Sequence, residues 1–154
     1  MNVHEYMKED LQVIKDQIEE FMAEHGTWSP LKCMDKASEL FHAFKRHFDL
    51  EDFTLRLFKP TPEMRTALQQ FLKERLEFRA DLERILMLHI DEPEFLQEIG
   101  ELLQRTQVYI QKLETKYKPA VFYRISPAEL ERINAELLKR IHSSDPDMIG
   151  EAVR

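Results

Sequence analysis

Apolar residues recur every three or four positions in four long stretches, and this period constrains the fold more than any other feature. The stretches carry Met7, Leu11, Ile14, Ile18 and Phe21; Ala37, Leu40, Phe44, Leu55 and Phe58; Met64, Leu68, Phe71, Leu82 and Leu86; and Phe95, Ile99, Leu102, Leu113 and Tyr117. Such spacing lays one apolar stripe along a helix, and the stripe must be covered by another element. Only three glycines occur, which leaves little turn chemistry for strands. The punctuation agrees with helices. The first runs over roughly 2–25 and stops at Gly26; Ser29-Pro30 opens a second that reaches about Phe58. Thr61-Pro62 opens the third, Asp91-Glu92-Pro93-Glu94 the fourth through Tyr117, and Ser126-Pro127-Ala128-Glu129 a shorter fifth through about Ile141. Short links between long helices predict an all-α fold, an antiparallel up-down-up-down four-helix bundle with a short fifth C-terminal helix. A length of 154 residues suits a single domain spanning 1–154. Its ordered core is expected over roughly 2–142, with fraying from His142 onward.

Charge narrows the partners. There are 29 acidic against 22 basic residues, a formal charge of −7, and such a surface repels phosphate backbones, so no nucleic acid is expected. The N-terminal segment holds acids and no apolar signal core, and the longest apolar run, Ile85-Leu86-Met87-Leu88, is far too short for a membrane span. The expectation is a cytoplasmic protein without a membrane partner. The lone Cys33 excludes an internal disulfide and reads as a small core residue.

Each long helix interrupts its apolar seam with polar residues. His4 begins the first seam. His47 and Glu51 stand between Phe44 and Leu55, where hydrophobic residues belong. Arg75 and Arg79 lie between Phe71 and Leu82, and Tyr109 and Glu114 flank Ile110 and Leu113 on the fourth. Burying a carboxylate and an imidazole costs several kcal/mol, roughly, unless each finds a partner. Plain structural roles are open to all of them. His4 can be solvated near a chain end, the arginines can snorkel outward, Tyr109 can be core, and Glu114 stands at i,i+4 from Lys118 as in exposed helical ion pairs.

With these residues in view, the chain resembles the hemerythrin-like family of cation-binding helical domains over roughly 2–140. In that family the first helix carries a ligand histidine, the second His-x-x-x-Glu, the third His-x-x-x-His, and the fourth His-x-x-x-x-Asp/Glu. These hold an oxo-bridged iron pair. His4 is similar to the first-helix ligand, His47-Phe48-Asp49-Leu50-Glu51 matches the second motif, and Tyr109-Ile110-Gln111-Lys112-Leu113-Glu114 has the fourth-helix spacing with Tyr109 in place of histidine. At the third-helix positions stand Arg75 and Arg79, and arginine stays protonated and cannot ligate a cation. A stretch from Leu40 to Asp52 also resembles the regulator-of-sigma-D family, four-helix proteins that bind a sigma factor without metal.

The resemblance therefore implies a bundle that has lost the full di-iron site and acts as a non-enzymatic binding or regulatory module for a protein partner. In place of the metal pair, Glu51, Arg75, Arg79, Tyr109 and Glu114 are expected to form an inner polar network. Two alternatives stand beside this. One is a single iron or zinc ion held by His4, His47, Glu51 and Glu114, with a metal- or oxygen-sensing role. The other is a regulator-of-sigma-D-like protein that binds a transcription factor. Acid–base catalysis by His47 and Glu51 lacks a nucleophile pairing, phosphate loop or cofactor fingerprint, so no catalytic residues and no enzyme activity are expected.

Overall fold

Asn2 opens the chain's first helix by accepting a hydrogen bond from the Glu5 N–H at 3.1 Å. The computed structural model describes residues 2–141, and among them regular structure is helical throughout. Helix α1 spans Val3–Glu24 and ends in a 3-10 turn, His25–Thr27. Helix α2 spans Pro30–Arg56, and Ser29 caps it by accepting from the Lys32 N–H at 3.2 Å, with Pro30 preset for the first turn. Helix α3 spans Pro62–Met87; Thr61 precedes it without a side-chain cap. The expected frayed segment from His142 lies outside the described residues.

Helix α4 is shorter than its sequence pattern implies. It spans Phe95–Lys112, because residues 91–94 form turns, and it then passes into a π-helical turn, Leu113–Tyr117. A three-residue helix α5, Lys118–Ala120, and a 3-10 turn, Phe122–Arg124, follow before α6, Pro127–Ile141. A π turn winds more residues into each turn than an α-helix does and so changes which positions face inward. Here the adjacent Tyr117 and Lys118 are both buried. Ser126 Oγ accepts from the Glu129 N–H at 3.2 Å and caps α6, while Glu129 itself accepts from the Lys59 N–H at 2.8 Å. That bond ties α6 to the link between α2 and α3.

Packing follows the stripes. Helix α1 packs on α2, α2 on α3 and α3 on α4; α1 and α2 also touch α4, and α6 lies against α1. All five apolar positions of the first seam are buried, each contributing about 1.5–3 kcal/mol. In the middle, Phe44, Phe48, Phe78 and Tyr109 form an aromatic cluster in which Phe78 and Tyr109 stack with centroids 4.2 Å apart. A second group joins Phe71 to Tyr117 and Phe122. No helix among the described residues is long and apolar enough to cross a membrane.

Candidate functional site

A line of charged side chains adjoins these aromatic groups through Arg75. His47 and Glu51 stand one turn apart on the inner face of α2, and both are fully buried. From α1, Asp10 meets the His47 ring, with Oδ2 at 2.9 Å from Nδ1. The other ring nitrogen, Nε2, faces Glu51 Oε2 at 3.5 Å. From α3, Arg75 donates through Nη1 to Glu51 Oε1 at 3.2 Å and through Nη2 to Asp52 Oδ1 at 2.5 Å. Its guanidinium lies between the Phe48 and Phe71 rings, 5.6 and 5.4 Å from their centroids. Arg46 reaches Asp10 from outside at 3.3 Å. A continuous chain of polar contacts thus runs Arg46, Asp10, His47, Glu51, Arg75, Asp52 across three helices.

The field inside is set by burial and by the groups around Glu51. Burial raises the Glu51 pKa, and His47, Arg75 and Lys118 offset only part of that rise. Burial pulls Arg75 down, but Glu51 and Asp52 more than compensate and leave it raised. The buried Lys118 ammonium, just after the π turn, is lowered by burial, with Glu51, Glu114 and Asp10 working against the fall. Tyr109 is pushed well above its ordinary value by burial and then by the Glu51 charge. His47 Nε2, Glu51 Oε2 and the Tyr109 hydroxyl are buried without a hydrogen-bond partner among the described residues.

The expected residues are divided by this geometry. Glu51 and Arg75 meet directly, and Tyr109 lies close enough to feel both. Arg79 does not join them: its Nε bonds to Glu83 at 3.1 Å, and its side chain is 41% exposed. Four residues advance a helix by about 40° beyond a full turn, which carries Arg79 off the edge of the stripe that Arg75 still shares. Glu114 is also outside the cluster, paired with Lys15 of α1 at 3.1 Å. Its expected i,i+4 partner Lys118 is buried instead. His4 is half-buried and meets Tyr123 edge to face at 5.4 Å; burial and Lys118 lower its pKa. His4, His47, Glu51 and Glu114 are not assembled as one ligand set, and no three His, Cys, Asp or Glu among the described residues are grouped to hold a metal ion. With a guanidinium on Glu51 and the buried Lys118 charge within its field, the side chains present do not fit a two-iron centre.

Asp10 and Lys118 are the members that periodicity passed over. Asp10 had a signal, since it stands three residues after Met7 and four before Ile14 on the shoulder of the first seam. Lys118 had none, because a lysine at i,i+4 from Glu114 reads as half of an exposed helical ion pair. No protein-family model, no curated protein and no solved structure matches this chain.

Proposed function

We propose that this chain is a metal-free antiparallel four-helix bundle that works as a non-enzymatic binding module, with an ion-pair cluster where its hemerythrin-like resemblance would put a metal pair. The observation that carries the reading is the Glu51–Arg75 contact at 3.2 Å between side chains 0% and 14% exposed. The interior carboxylate already has a resident cation, and Lys118 adds a second within its field. His47 and Glu51 have no exposed surface to offer a substrate, which supports a structural role over acid–base chemistry.

Pairings between helices support the up-down-up-down arrangement. On α1 and α2, Asp10 pairs with Arg46 and Glu20 with Lys36; on α3 and α4, Glu74 pairs with Lys112, Asp81 with Arg105 and Glu98 with Arg84. In each pair of helices, one number rises as the other falls, the signature of antiparallel neighbours. Glu51 with Arg75 and Phe44 with Phe78 give the same pattern for α2 and α3.

Elemental analysis of the protein purified without a histidine tag tests the reading. The expected result is less than roughly a tenth of an iron or zinc atom per chain. About two irons per chain with a near-ultraviolet oxo-bridge band would overturn it, as would about one ion per chain that is lost in the Glu51→Gln variant.

A further inference from the structure

We propose that the groove between α3 and α4 is the docking surface of this module, and that it takes a basic amphipathic helix from a protein partner. The proposal rests on the binding-module reading and supplies its surface and the chemistry of its partner.

The groove encloses about 530 Å³ and is open to solvent along one side of the bundle. The stacked Phe78 and Tyr109 rings close its floor, each only 5% exposed, and Val108 beside them, 53% exposed, is its open apolar contact. Its rim is acidic. Glu74, Glu77, Asp81 and Glu101 stand against Arg105 and Lys112, four negative charges to two positive, so the lining carries a net charge of −2. Lys112 is engaged with Glu74, and Arg105 is shared among Asp81, Glu98 and Glu101. Glu77 is exposed and has no ion-pair partner among the described residues. These rim pairs are 25–50% exposed and span 3.3–3.9 Å, so incoming cations compete for the same oxygens at little cost.

The dimensions favour a helix. The lining positions run from Glu101 to Lys112 on α4, about 16 Å or three helical turns, and from Glu74 to Asp81 on α3, about 10 Å or two turns. A trough between two helices, apolar at its base and charged at its edges, matches the helix-in-groove mode. An apolar stripe would rest on Val108 above the edges of the Phe78 and Tyr109 rings, while flanking lysines or arginines met Glu77, Asp81 and Glu101. The acidic rim also steers a cationic partner and repels an anionic one.

The groove is tested with two synthetic helical peptides of about 14 residues, with leucines at i, i+4, i+7 and i+11. One is flanked by lysines, the other by glutamates at the same positions. Titration of each into isotopically labelled full-length protein is followed by amide chemical shifts. The basic peptide is expected to bind with shifts centred on residues 74–81 and 101–112, and to weaken about tenfold in Glu77→Lys/Glu101→Lys. Val108→Arg, a second exposed variant, is expected to weaken it similarly without changing the fold, as checked by circular dichroism. Equal binding of the acidic peptide overturns the proposal. So does basic-peptide binding that maps to another face, although that outcome leaves the binding-module reading standing. Absence of binding by either peptide overturns the groove, while the metal content judges the interior independently.

Discussion

Glu51 and the carboxylates of the α3–α4 groove bind arginine in two different physical settings. At Glu51 the acid has no exposed surface and Arg75 is clamped between two phenyl rings; at the groove, Arg105 is 39% exposed and spread over Asp81, Glu98 and Glu101. In the buried setting Glu51 has given up its water and Arg75 most of it, so what matters is that the partners stay together. In the exposed setting water and salt already stabilise each charge, and a pair adds little. The buried cluster therefore specifies how α1, α2 and α3 meet, whereas the groove pairs can open and exchange partners. The contrast places rigidity in the helical core and adaptability on its surface.

The largest expected effect comes from separating the buried pair. Arg75→Met leaves Glu51 buried without its main partner, and a loss of about 3–5 kcal/mol in urea unfolding is expected. Glu51→Leu/Arg75→Leu together should recover most of that loss, because neither charge is then stranded. A double variant as unstable as Arg75→Met would show that the cluster contributes attraction well beyond its desolvation cost.

A smaller effect is expected in the pH dependence. The folded-state pKa of Glu51 is raised above 4.5 by burial, so between 4.5 and its raised value the folded protein holds a proton that the unfolded chain releases. Its contribution to stability is complete below 4.5 and is lost as pH rises through the folded pKa. Glu51→Gln cannot titrate and should flatten that part of the stability profile measured by urea unfolding. An unchanged slope would assign the titration to another group.

The smallest effects belong to the surface. Arg79→Gln, which breaks only the exposed pair with Glu83, should change stability by less than about 0.5 kcal/mol. Arg105→Gln should cost less than about 1 kcal/mol, with the difference from the parent fading as salt is raised. If Arg79→Gln proved as damaging as Arg75→Met, the division between interior and surface would fail.

Arg75 and Arg79 also mark how far sequence reading reaches. Both sit four apart within one apolar stretch, and the sequence alone treats them alike. The phase of α3 admits the first and turns the second outward, a difference of about 40° that seam spacing does not resolve. Glu114 and Lys118 exchange their expected places for a related reason. A regular helix predicts that they pair on the surface, whereas the π turn over Leu113–Tyr117 is followed by a buried Lys118 and Glu114 turns to Lys15.

The sequence by itself determined the helices: their apolar stripes, the Ser29 and Ser126 caps, the intrusion of His47 and Glu51 into the α2 seam, and the acidic balance of the surface. These are properties of residues near one another along the chain, where spacing and local hydrogen bonding decide the outcome. Only the tertiary structure decided who answers the buried Glu51. Arg75 reaches it from α3, Asp10 holds the neighbouring His47 from α1, and Lys118 adds its charge from α5, each placed by the rotation of its helix about its axis. Periodicity gives that rotation only to within a few tens of degrees, while a hydrogen bond requires agreement to within a fraction of an ångström.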